Sequence, residues 1–150
     1  MPAGVSGTFD AVLAACNLLL NLTAPGAQQS CIRGASELLV PGGILVTELS
    51  PLEAPTTVTR EITLSSVESD GVVLIATETH AGSALVEGRH IELRDGTPVR
   101  VRPWSIRVAT TTDLDGWCTG AGLELAERHD DWDAVMPTGP TAATVSVHRR

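Results

Sequence analysis

Glu48 is the ionisable side chain of this 150-residue sequence whose position most invites chemistry. It stands near the end of an apolar run, Ile44 to Leu49, that reads as a strand. Ligands of open α/β sheets bind beyond the carboxyl ends of the strands, so a carboxylate there could take a proton or orient a substrate amine. The competing reading is a solvated carboxylate at a strand end. Other groups fit chemistry less well by spacing. His80, His90, His129 and His148 are scattered, with no metal-ligand interval. His129 lies in ERHDDWD, where neighbouring carboxylates would raise its pKa or simply form a surface ion pair. Asp130, Asp131 and Asp133 could attract a divalent cation, but the run reads more simply as a solvated acidic turn. Cys16, Cys31 and Cys118 form no C-x-x-C and are odd in number, which argues against zinc and against a disulfide framework. They read as small buried hydrophobes in a reducing cytosol, and no metal is expected. Trp104, Trp117 and Trp132 are three of four aromatics. Trp117 belongs to a helix stripe, while Trp104, beside Pro103, could flank a substrate.

The surrounding pattern predicts the elements that would hold these groups. Residues 9–15 (FDAVLAA) form a short apolar run expected as a strand buried on both faces, as in a parallel sheet. Thr23 is a candidate N-cap and Pro25 suits a first helical turn, which predicts a helix over 25–39. Cys31, Ile32, Ala35, Leu38 and Leu39 would be its apolar stripe. Pro41-Gly42-Gly43 should stop it before the strand at 44–49, completing a right-handed βαβ unit with parallel strands. Runs 57–68, 72–79, 85–93 and 98–108 are rich in Val, Ile and Thr, with Asp70-Gly71 and Asp95-Gly96 between them, and predict an antiparallel meander with one polar face. In the first run Val58, Ile62 and Leu64 share a face. A helix at 112–121 follows, with Thr112 and Asp115 resembling a capping box and Gly122 as its stop. Strands at 123–127 and 142–147 close the chain.

Composition narrows the partners. The chain is 43% hydrophobic and 19% charged, an ordinary globular balance that suits one domain with a core of its own. The net charge is −8, and all ten basic residues are arginine. Such acidity disfavours nucleic-acid backbones and anionic membranes. No apolar run approaches a membrane span, and MPAGVSGTFD lacks a signal-peptide pattern, so a cytoplasmic location is expected.

Four segments together resemble class I S-adenosylmethionine (SAM) dependent methyltransferases. FDAVLAACNLLLNL is similar to the family's fourth strand and following loop, and AQQSCIRGASELLVPGGILVTEL to its next helix and fifth strand, with an L-x-PGG-x-hydrophobic signature from Leu39 to Leu45. DLDGWCTGAGLELAERHDDWD and ATVSVHRR resemble the later helix, the AGL turn and the closing strands. The β-rich insertion resembles that of small-molecule methyltransferases, especially those acting on amino sugars. The resemblance implies an α/β fold: a partial Rossmann-like sheet (βαβ, then αββ) with an antiparallel β-meander insertion, read as one domain over 1–150 with a cap at 56–108. It implies SAM as cofactor and a small-molecule substrate. It places Ala15, Cys16, Asn17 and Leu18 along the methionine part of SAM; Asn17 would offer its amide to the cofactor or else cap a turn. Glu48 would be the catalytic carboxylate. Trp104, Arg107 and Asp113 are the substrate-side candidates, although the family's aromatic-proline pair is missing from 108–113. The resemblance covers only the second half of the family's fold. The chain has no G-x-G-x-x-G to bring backbone close to a cofactor, and it begins just upstream of the fourth strand, as if inside a longer enzyme. A homodimer or a complementing chain is therefore expected. A non-catalytic remnant acting by association, or a stand-alone α+β ligand-binding domain, are the alternatives.

Overall fold

Pairing of the short apolar runs decides the architecture. The computed structural model describes residues 6–130, 132–133 and 143–150. Its elements are β1 (Phe9–Ala14), a single 3-10 turn (Leu18–Asn21), α1 (Ala27–Leu38), β2 (Leu39–Leu49), β3 (Thr59–Glu68), β4 (Gly71–Thr79), β5 (Leu85–Arg94), β6 (Arg100–Arg107), α2 (Thr111–Gly120), β7 (Glu124–His129) and β8 (Thr144–Arg149). The chain divides into two compact units, 1–53 with 109–150, and 54–108. No helix among the described residues is long and apolar enough to cross a membrane.

The first unit is a four-stranded sheet in the order β1-β2-β8-β7. β1 and β2 run parallel, from Ala11 opposite Ile44 to Ala14 opposite Thr47, as the βαβ pattern predicts. β8 pairs antiparallel with both β2 and β7. The core is built on leucines: Leu39, Leu45, Leu49, Leu114 and Leu123 are buried with Ile32 and Cys118. Each such side chain contributes about 1.5–3 kcal/mol of burial. Polar groups go under with them, and two join elements. Gln28 Nε2 donates to the Leu19 carbonyl at 3.1 Å, and Ser36 Oγ donates to the Ala121 carbonyl at 2.9 Å, which ties α1 to the end of α2.

Several expectations change here. β1 is the outermost strand of its sheet rather than one buried on both faces, and Leu13 is 59% exposed. α1 begins at Ala27, with Gly26 at φ 74° as its N-cap and no side-chain cap, so neither Thr23 nor Pro25 starts it. Its apolar stripe is split: Ile32 is buried, whereas Cys31, Ala35 and Leu38 line an open apolar groove of about 530 Å³ with Val12 and Leu22. Pro41-Gly42-Gly43 lies within β2 instead of ahead of it, because β2 already begins at Leu39. Phe9 pairs with Leu39 and Ala11 with Ile44, so the three residues are looped out as a bulge. Gly42 takes φ 82°, where glycine is the unstrained choice, and a side chain at Gly43 would meet the Asp10 carbonyl at 3.1 Å. The capping box of α2 is Thr110 with Asp113, two residues before the expected pair. The last strands run to His129 and Arg149, beyond the expected 127 and 147; Ala142 and Asp131 lie outside the described residues. Cys16 is exposed rather than buried.

The second unit is the predicted meander, β3-β4-β5-β6, each pair antiparallel. Glu68 pairs with Gly71 across a two-residue turn. Arg94 locks the sheet end by donating to Glu68, Asp70 and Glu92. Its two faces differ, because residues directly opposite share a face. One carries the row Leu64, Leu74, Ile91 and Val101, and beside it Val67, Val72 and Leu93. The other carries His90 and Arg102 in one row, Gly88 and Trp104 in the next, and Glu92 opposite Arg100.

Candidate functional site

The parallel strands β1 and β2 end side by side, and the chain leaves β1 through an unusual turn. Cys16 and Asn17 both take left-handed backbone conformations, φ 56° and φ 53°. Asn tolerates this region better than most residues, and Cys does not, so each costs of order 1 kcal/mol that contacts must offset. Three hydrogen bonds do so, one to Glu48 of β2 and two to Ser50 just past its end. The Cys16 N–H donates to Glu48 Oε2 at 2.8 Å. Asn17 Oδ1 accepts from the Ser50 N–H at 2.6 Å, and Asn17 Nδ2 donates to Ser50 Oγ at 3.1 Å. The 3-10 turn that follows is anchored by buried Leu19 and Leu20, while the side chains of Cys16 and Leu18 stay exposed. Trp132 completes the cluster, its indole N–H donating to the same Glu48 oxygen at 3.3 Å.

The structure thus brings together Ala15, Cys16, Asn17, Leu18 and Glu48 at one sheet end. Asn17 makes the turn contact and keeps one Nδ2 hydrogen beyond the one given to Ser50. Glu48 receives two N–H groups on one oxygen, so it holds the loop as well as facing the strand end. Ser50 and Trp132 were not expected here. Ser50 follows the apolar run by one residue, where a serine reads as an ordinary strand stop. Trp132 sits 84 residues from its partner, and no local spacing signals such a contact.

The substrate-side candidates lie on other elements. Trp104 lies on β6 with its ring over Gly88, where an added Cβ would come within 2.2 Å of the indole, and 6.2 Å from the His90 ring. Arg107, three residues on, points to the opposite face of that sheet. The Asp113 carboxylate accepts from the Thr110 N–H at 2.8 Å and its hydroxyl at 2.7 Å, so it caps α2. His129 pairs with Glu127 at 3.1 Å.

A second ionisable group sits away from this end. Arg128 grips Asp115 with two N–H groups and donates Nε to Ser146 Oγ at 2.9 Å, and His148 Nε2 lies 3.2 Å from Asp115 Oδ1. Burial pushes the His148 imidazole below its ordinary value, outweighing the Asp115 hydrogen bond. Burial opposes ionisation of Asp115, but the hydrogen bonds from Arg128 and His148 hold its carboxyl below the usual range. Burial likewise raises the Cys31 thiol and pushes Cys118 up to about 12, so neither is a nucleophile.

The chain shares its fold with SAM-dependent methyltransferases. It superposes on the CcbJ methyltransferase of Streptomyces caelestis with a TM-score of 0.85 and 30% identity, over 95% of this chain and 61% of that one. The amino pentose methyltransferase CalS10 of Micromonospora echinaspora, determined with SAM bound, matches at TM-score 0.62 and 20% identity over 97% of this chain and 60% of its own. The sugar N-methyltransferase KedS8 of a Streptoalloteichus species matches at TM-score 0.63 and 20% identity over 100% of this chain and 59% of its own. The chain therefore spans about 60% of the length of these neighbours. No protein-family model matches the sequence, and no curated protein does.

Proposed function

We propose that this chain serves methyl transfer from SAM to a small-molecule acceptor, with the ends of β1 and β2 as its site. The observation that carries the reading is the likeness to the Streptomyces caelestis methyltransferase over 95% of the chain, together with a doubly stapled turn at the strand end where α/β sheets bind ligands. SAM is the cofactor that the neighbours support. Bound there, it supplies a methyl group activated by a sulfonium.

The residues present fit the methionine side of that cofactor. The left-handed pair Cys16-Asn17 swings the chain off the sheet and leaves the Cys16 and Leu18 side chains open, with an Asn17 amide hydrogen to spare. Glu48 lies against the same turn, where it can hold an acceptor proton. For the nucleoside side, the 150 residues offer no glycine-rich turn after a strand. That side of the pocket comes from a segment outside these 150 residues. The acceptor is a small molecule handled in the cytoplasm, with an amino sugar the first class to try.

Calorimetric titration of the folded chain with SAM and S-adenosylhomocysteine, followed by transfer of a labelled methyl group to a panel of amino sugars, tests the reading. Saturable binding of both cofactor forms supports it. A folded sample that binds neither at millimolar ligand, alone or with its partner chain, rejects it.

A further inference from the structure

The Glu48 carboxylate is held on one oxygen by groups from two distant parts of the chain. The Cys16 N–H and the Trp132 indole N–H both donate to Oε2, at 2.8 Å and 3.3 Å. Oε1 accepts from no described residue. The sheet explains how Trp132 reaches this point. Glu48 of β2 lies opposite Val145 of β8, and Val145 lies opposite His129 of β7. The three share one face, and two strand spacings put His129 about 10 Å across from Glu48. Three residues of chain reach about that far, and Trp132 is the third residue after His129. Trp132 is 51% exposed, so the indole sits at the open margin of the strand end and not in the core.

We propose that Trp132 is a positioning residue for methyl transfer: it pins Oε2 against the Cys16 turn and leaves Oε1 as the oxygen that takes the acceptor's proton. This role rests on the function proposed above. An indole N–H and a backbone N–H only donate, so a proton arriving on Oε2 would meet two hydrogens already there. As the acceptor gains the methyl group and the sulfonium becomes a thioether, the acceptor's proton moves to Oε1. A carboxylate held by the Cys16 N–H alone can turn about its Cγ–Cδ bond and present either oxygen. The second donor removes that freedom, and fixed geometry is what a proton transfer in register with methyl transfer needs. The choice of tryptophan fits the charges. An arginine there would grip the carboxylate harder but neutralise it and set a second cation beside the sulfonium, whereas an indole holds it and leaves its charge in place.

Two measurements test this, and one of them is blind to methyl transfer. In the nitrogen-labelled chain the three tryptophans give three indole N–H signals. Trp132→Phe, confirmed folded by circular dichroism, identifies its own signal by loss. Glu48→Gln is expected to move that signal and the Cys16 amide, and to leave the Trp104 and Trp117 indoles in place. A Trp132 indole signal that ignores Glu48→Gln overturns the proposal. In the labelled-methyl assay, Trp132→Phe is expected to lower kcat about tenfold with KM for SAM unchanged, the worth of one hydrogen bond to a charged group. Added to Glu48→Gln it should cost nothing more, because no carboxylate is left to position. A tryptophan with a purely structural role would lower kcat by the same factor in both backgrounds. That result overturns the proposal, as does a Trp132→Phe protein with full kcat. A wild-type chain that transfers no methyl group rejects the function proposed above and this role with it; a Glu48-sensitive indole signal then places the failure in the reaction and not in the contact.

Discussion

Asn17 holds a left-handed backbone in place by giving both ends of its amide to Ser50. Replacing it with alanine removes both bonds and leaves a Cβ in the same region. Asn17→Ala should therefore lower stability by roughly 1–3 kcal/mol, read by urea unfolding. Asn17→Gly should recover the backbone share and not the hydrogen-bond share; if the two variants are equal, the backbone is not strained. Ser50→Ala removes one bond of two and should cost about 1 kcal/mol or less. Glu48 separates holding from chemistry. Glu48→Gln keeps an oxygen that can accept from the Cys16 N–H, so the loop and the melting temperature should stay close to wild type. If the carboxylate takes the acceptor proton, kcat should fall about 100-fold or more with KM little changed. A fall in KM-side binding alone would make Glu48 a positioning residue. Glu48 itself was legible in the sequence because a carboxylate at a strand end is a local feature. Ser50 and Trp132 were not, because their roles exist only once two distant segments meet.

Among the elements, α2, β7 and β8 are tied by the Asp115, Arg128 and His148 network, and this predicts a pH dependence. The folded state holds the His148 imidazole below its ordinary 6.5, so the unfolded chain binds that proton more readily. The stability it contributes is complete above 6.5 and is lost as pH falls from there through the folded value. Urea midpoints should therefore decline as the pH falls below about 6.5, and His148→Gln should flatten that decline. An unchanged slope in the variant assigns the effect elsewhere. Asp115 adds its own loss at lower pH, as the solution falls through its lowered folded value. In the meander, Gly88→Ala would place a Cβ within 2.2 Å of the Trp104 ring, and overpacking of this kind should cost about 1–3 kcal/mol. The element order was readable from periodicity and Asp-Gly turns. The boundaries that moved did so for tertiary reasons: β2 reaches back to Leu39 because the bulge at 41–43 bonds to Arg150, with the Gly42 N–H donating to its carbonyl at 2.9 Å. The α2 cap moved because Thr110, not Thr112, begins the turn that Asp113 closes.

For the molecule as a whole, the sequence carried the fold through segments whose order matters more than any one motif, and FDAVLA and GGILVTEL do lie as parallel neighbours. What it did not carry is what covers the open surfaces. Alternation in 57–68 pointed to a shared face for Ile62 and Leu64, but their exposure of 70% and 59% depends on what packs on the sheet, which no single strand reports. The same holds for β1, whose run of apolar residues reads as interior yet lies at the outer side of its sheet. The central claim is that the turn after β1 meets the methionine part of SAM. Amide chemical shifts of the labelled chain, followed by NMR as S-adenosylhomocysteine is added, test it even at weak affinity. Saturable shifts concentrated at Cys16, Asn17, Leu18 and Ser50 are expected. Shifts confined to the strands of 59–107, or none at millimolar ligand in a folded sample, would contradict it.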